Sequence, residues 1–117
     1  MTETQNNNKY DLESRTAKFA LEVRNFCKNV KKDIISLEYI KQLVRSSGSV
    51  GANYIEANES LSKKDFVMRV KICRKEAKES RYWLCLLESE SQEKDALIKE
   101  STELTKIFGA ILEKCKV

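Results

Sequence analysis

The chain is 117 residues long, 34% charged and 41% hydrophobic, with a net charge of +4. That is enough for one domain with a packed core and too little for two, and no apolar run is long enough to span a membrane. Histidine is absent and none of the four cysteines, Cys27, Cys73, Cys85 and Cys115, forms a C-x-x-C pair, which excludes the common zinc patterns and a histidine general base.

Proline is also absent, and the only glycines are Gly48, Gly51 and Gly109. Proline ends helices and punctuates loops, so this composition points to a few long helices with short connections. The N-terminal MTETQNNNK is polar, and residues 1–10 are expected to fray. With no signal peptide ahead of them, the cysteines read as small buried hydrophobes in a reducing, cytoplasmic setting.

The first helix is predicted from Asp11, an N-cap after the asparagine run, to about Asn29. Leu12, Thr16, Phe19, Val23, Phe26 and Val30 alternate spacings of four and three, the seam of a helix packed nearly parallel to its neighbours. Residues 30–35, VKKDII, break that rhythm and read as a connection, with Ser36 opening the second helix. Its inward line is Ile40, Leu43, Ser47, Val50, Tyr54 and Asn58, widened by Val44 and Ile55.

This helix contains the run that organises the chain. Ser46, Ser47, Gly48, Ser49, Gly51 and Ala52 give it an inward side with almost no bulk. Each glycine costs roughly 1 kcal/mol against alanine in a helix interior, so the run is expected to admit another helix at close range. Helical order should fail from Asn58 to Ser62, where Ser62 becomes the N-cap of a third helix with Asp65 in capping-box position.

The third helix should run to about Glu88. One seam is Phe66, Val70, Cys73, Ala77, Ser80, Leu84 and Leu87; Met68, Ile72, Glu79, Tyr82 and Leu86 make most of a second, displaced one. Two seams call for a further packing partner, within the chain or from another subunit. A polar turn, Ser89 to Glu93, leads to a last helix over about Lys94 to Lys114. There Leu97, Ser101, Leu104, Phe108, Ile111 and Cys115 keep the rhythm, broadened by Ile98, Ile107 and Leu112. The expected fold is all-α, an up-down-up-down antiparallel four-helix bundle forming one domain over residues 1–117.

The charge is uneven. Residues 62–81 hold eight basic side chains against three acidic, whereas residues 1–61 hold nine against eight and residues 82–117 five against seven. Lys64, Lys71, Arg74, Lys75 and Lys78 share one broad face of the third helix, a stripe suited to a phosphate backbone. The competing reading is a solvated face with salt-bridge partners on neighbouring helices.

No catalytic, cofactor-binding or metal residues are assigned. Glu56, Glu76 and Glu79 match in type the carboxylates of metal-containing bundles, but those sites also take histidines, which this chain lacks. No nucleophile motif or phosphate-binding glycine loop is present either. Arg45, Asn53 and Glu56 read instead as a polar network meeting partners on the third helix and fixing helix register. Trp83, at the end of the basic helix, reads as packing rather than as a platform for bases.

An ordered set of segments carries a resemblance. It comprises D-L-x-x-R-T-x-x-F-A at Asp11 to Ala20, Q-L-x-R-S at Gln42 to Ser46, S-V-G-A-N-Y-x-E-A at Ser49 to Ala57, S-K-K-D-F at Ser62 to Phe66, and K-E-A-K-E-S-x-Y-W-L at Lys75 to Leu84. Together these resemble the 23S rRNA-intervening sequence protein family, four-helix bundles named for genes within bacterial large-subunit ribosomal RNA genes. The resemblance implies a homopentamer around a central channel. The accessory variability determinant of diversity-generating retroelements is similar in fold; it binds nucleic acid and a reverse transcriptase through a basic pentameric barrel. One departure is Val30-Lys31-Lys32, which stands where the family commonly has proline, so that loop is expected to differ.

Two functional readings follow. The first is a non-enzymatic bacterial protein, homopentameric, binding RNA, DNA or a nucleic-acid-processing partner through its basic faces. The second is a structural or protein-binding adaptor whose basic helix is neutralised by acidic neighbours such as Glu100 and Glu103 on the last helix.

Overall fold

Four helices fill nearly the whole chain: α1 (Asn8–Asn29), α2 (Ile34–Asn58), α3 (Lys63–Leu86) and α4 (Gln92–Lys114). They come from a computed structural model that describes residues 8–116, and no strand occurs among the described residues. Each helix packs on the one before it and α4 closes against α1, with α2 and α3 sharing the most extensive seam. This is the expected all-α antiparallel bundle. The expectation of fraying over residues 1–10 lies outside the described residues for 1–7, while residues 8–10 are helical.

The core follows the four-three rhythm. Leu12, Thr16, Phe19, Val23 and Phe26 of α1 and Val30 just beyond it are all buried, as are Val70, Cys73, Ala77, Ser80, Leu84 and Leu87 on α3 and its C-cap. Phe66 is only partly buried against them. Phe19, Phe26 and Phe108 are the largest enclosed side chains, each contributing on the order of 2–3 kcal/mol by removal from water.

The helix ends depart from expectation in instructive ways. α1 begins at Asn8, so Asp11 lies inside it rather than at its cap. α2 begins at Ile34, because Asp33 and not Ser36 is the N-cap: the Ser36 backbone N–H donates to Asp33 Oδ1 at 2.8 Å. A cap serves the amide three residues on, and Ser36 occupies that receiving position. Ser62 caps α3 as expected, accepting from the Asp65 amide at 3.1 Å, and Ser91 caps α4 in the same way from Lys94. After α1, in the loop that carries Val30-Lys31-Lys32 in place of a proline, Lys32 Nζ donates to the carbonyls of Cys27, Lys28 and Val30 at 2.6–2.9 Å. A cation there satisfies carbonyls the helix leaves open and suits the negative end of its dipole.

The small-residue run of α2 is split between two faces. Ser46, Ser47 and Gly51 are buried, whereas Gly48 and Ala52 point to solvent. Val44 and Ile55 do not widen the inward face; both are about half exposed, on the same outward side as Gly48 and Leu37. At one hundred degrees per residue these positions fall opposite Leu43 and Val50, which the core claims. The second seam of α3 is also open within the protomer: Met68, Tyr82 and Leu86 are exposed, and only Ile72 and Glu79 are half-buried.

Candidate nucleic-acid interface

Burial of Val70, Cys73, Ala77 and Leu84 fixes the rotation of α3, and that rotation sends its lysines outward. Lys71, Arg74, Lys75 and Lys78 line a shallow groove of about 370 Å³ together with Leu112 of α4. The Arg74 stem lies along α4, where a Cβ added at Gly109 would stand 3.8 Å from Arg74 Nε. Lys64 is exposed on the same face two turns earlier and is not part of the groove.

These cations are largely unspent. Lys75 Nζ stands 4.0 Å from Glu76, and among the described residues Lys64, Lys71, Arg74 and Lys78 form no ion pair. The carboxylates proposed to neutralise them are engaged elsewhere. Glu100 accepts from Arg15 at 2.7 Å on the α1 side, and Glu103 faces Lys106 at 3.7 Å. Of the acids of α3, Glu76 and Glu79 are paired with Arg45 of α2, and Asp65 lies exposed in the first turn, away from the groove. The net positive segment seen in the sequence thus becomes a net positive face.

The α2–α3 seam holds the polar network. Arg45 is ion-paired to both Glu76 and Glu79, with Arg45 Nη1 3.4 Å from Glu76 Oε1. Trp83 Nε1–H donates to Glu79 at 3.0 Å. This donation, followed by the Arg45 guanidinium, holds the Glu79 carboxyl below the usual carboxylate range despite its partial burial. Asn53 donates to the Ser49 carbonyl at 2.9 Å and accepts from Arg69 Nη1 at 2.9 Å. Ser46 and Ser80 share a buried hydrogen bond of 2.8 Å. Arg45 and Asn53 therefore meet α3 as expected, but Glu56 does not join them. It is exposed, and among the described residues its side chain has no hydrogen bond or ion pair; its position on α2 turns it past the seam into solvent.

Sequence reasoning set Glu76 and Glu79 aside as metal-type carboxylates and left Arg69, Ser46 and Ser80 out of the network. The signal was the three-residue step from Glu76 to Glu79 facing the lone Arg45 across an antiparallel pair. Among the described residues no three metal-ligating side chains converge. All four cysteines are free; burial pushes the Cys73 thiol up to about 12, so it is an inert core residue, while Cys85 is exposed. No described helix is long and apolar enough to cross a membrane.

The bundle and its basic groove can be set beside known proteins. The fold matches a crystal structure from Bacteroides thetaiotaomicron, described as a protein with unknown function from the S23 ribosomal protein family. The TM-score is 0.76 at 31% identity, covering 86% of this chain and 96% of that one. No protein of curated function matches. The family model described as 23S rRNA-intervening sequence protein matches residues 8–113, which spans all but the last residue of the bundle. The chain belongs to the 23S rRNA-intervening sequence protein family.

Proposed function

We propose that the chain is a non-enzymatic RNA- or DNA-binding bundle, acting as a homopentamer that engages the phosphate backbone through the α3–α4 groove. The observation that carries this reading is the convergence of Lys71, Arg74, Lys75 and Lys78 on one groove, where among the described residues only Lys75 stands near a carboxylate. Unpaired cations on a low-dielectric surface attract a polyanion and release its counterions on binding. The family name, tied to ribosomal RNA, favours RNA as the polyanion. A ring would repeat the groove and multiply weak contacts through effective concentration. The bacterial cytoplasm suits both such a ligand and four free thiols.

The test is RNA binding by fluorescence anisotropy across a salt series. Submicromolar affinity at low salt is expected, with log K falling, for each tenfold rise in salt, by about 0.7–0.9 per phosphate contacted. The double variant Lys71→Glu/Lys75→Glu should abolish it. Absence of binding at low salt, or indifference to the charge reversal, overturns the reading.

The adaptor reading draws on a separate observation, the exposed apolar stripe of Leu37, Val44 and Ile55 on α2. Contact between copies in a ring would cover such a stripe without a foreign partner. Light scattering at low and high salt separates the two: a pentamer supports the ring, and a monomer leaves the stripe for another protein.

A further inference from the structure

The basic face does not end in lysines. Tyr82 follows Lys78 by four residues and Lys75 by seven, one and two helical turns, so its ring projects from the same side of α3 about 6 and 10 Å further along the axis. It is 56% exposed. Open as it is, the side chain is held in place. Its ring meets Trp83 at 5.0 Å between centroids in a T-shaped contact. Trp83 is itself fixed by its hydrogen bond to Glu79 and by Tyr39 at 5.9 Å. The T-shaped contact leaves at least one face of the Tyr82 ring without an aromatic neighbour among the described residues.

We infer that Tyr82 is a stacking platform for an unpaired base, and that the ligand of the basic face is single-stranded rather than duplex nucleic acid. This rests on the nucleic-acid reading proposed above and narrows it. The cations of Lys71, Lys75 and Lys78 rise along a single helix in one line, which tracks one phosphate strand. A base can reach the tyrosine only if it is unstacked and turned out, as bases in single strands are. A duplex keeps its bases inside and offers the ring nothing but backbone. Trp83, half-buried and spoken for by Glu79, supports the platform from behind and does not itself stack on the ligand.

The experiment compares a fluorescein-labelled 20-nucleotide single-stranded RNA with a duplex RNA of the same length, using full-length protein. Wild type should prefer the single strand. Tyr82→Ala should weaken single-strand binding by roughly 5- to 100-fold, the usual effect of losing one aromatic–base stack, with the salt slope unchanged because no charge is lost. Tyr82→Phe and Tyr82→Trp should retain affinity. The charge reversal at Lys71 and Lys75, in contrast, should weaken both ligands and flatten the salt slope. Equal binding of single strand and duplex by wild type, or a Tyr82→Ala variant that loses neither ligand or both alike, overturns the platform and leaves the basic groove standing. Failure of wild type to bind either RNA overturns both readings. Light scattering on Tyr82→Ala completes the set: a changed mass assigns the ring to a subunit contact and overturns the platform, and an unchanged mass with selective loss of the single strand supports it.

Discussion

Two glycines three residues apart on α2 stand in opposite surroundings. A Cβ built at Gly51 would lie 2.9 Å from Thr16 Oγ1 and 3.2 Å from Thr16 Cβ, whereas one built at Gly48 meets nothing within 4 Å. Thr16 cannot easily yield, since it is buried and its hydroxyl donates to the carbonyls of Leu12 and Glu13 at 2.9 and 3.0 Å. Gly51 is the point where α1 and α2 approach too closely for any side chain. Gly48 carries the same helix penalty with no contact in the protomer to explain it, between the exposed Val44 and Ile55. The inner face of α2 is thus packed within the protomer, and the outer face meets nothing in it.

The inner half of that comparison breaks most severely. Gly51→Leu should destabilise the bundle by about 3 kcal/mol or more through overpacking against Thr16, lowering the melting temperature by on the order of 10 °C. Thr16→Ala removes the nearest atom, so the pair Gly51→Ala/Thr16→Ala should be less destabilised than the two single changes summed. Strict additivity in thermal melts would mean that the close approach is not where the cost arises.

A smaller loss is expected at the α2–α3 seam, beside the inner face. Glu76 is only 5% exposed, and its Oε1 has no well-formed hydrogen bond, so Arg45 is its main compensation. Arg45→Met should cost about 2 kcal/mol, less than the roughly 3–5 typical of a fully buried pair because Arg45 is half exposed. The pH dependence gives a sharper check. Because the Glu79 carboxyl is held below its ordinary value, its contribution is present above the unfolded-state pKa and is lost as the pH falls through the folded one. The stability gap between wild type and Arg45→Met should therefore be widest above about pH 5 and narrow below about pH 4. A gap constant from pH 7 to pH 3 in urea titrations would remove Arg45 from the account of Glu79.

Periodicity made the bundle and most of its core readable, because Leu12 to Val30 and Val70 to Leu87 fall on one face at helical spacing with little competition. The cysteines were legible only in part: Cys27 and Cys73 are buried on that rhythm, but Cys115 is only partly buried and Cys85 is exposed. Three kinds of feature were not. Caps depend on which acceptor reaches which amide, and Asp33 and Ser36 are both good candidates until the backbone decides. Faces of a small-residue run differ by single steps of rotation, so Gly48 and Gly51 look alike in sequence. Pairing across helices depends on axial register, which kept Glu56 in the expected network and left Arg69 out of it. For the basic face, residue type and rotation were readable from Lys64 to Lys78, but not the diversion of Glu100 and Glu103 to Arg15 and Lys106.

The outer face of α2 offers the mildest substitution and the most discriminating one. Gly48→Ala adds a methyl where nothing stands in the protomer, so it should stabilise an isolated bundle by about 1 kcal/mol through helix propensity alone. If copies of the chain pack across Val44, Gly48 and Ile55, the same methyl intrudes on the contact and Gly48→Leu intrudes further. The expected result is a melting temperature that rises for Gly48→Ala at high dilution, together with a loss of assembled mass for Gly48→Leu while its helicity is kept. Mass action makes the two effects separable, since assembly stabilises only in proportion to concentration and propensity does so at every concentration. A Gly48→Leu protein with the mass of wild type would show that the outer glycine faces only water, and Leu37, Val44 and Ile55 would then be scattered surface apolar residues of the ordinary kind.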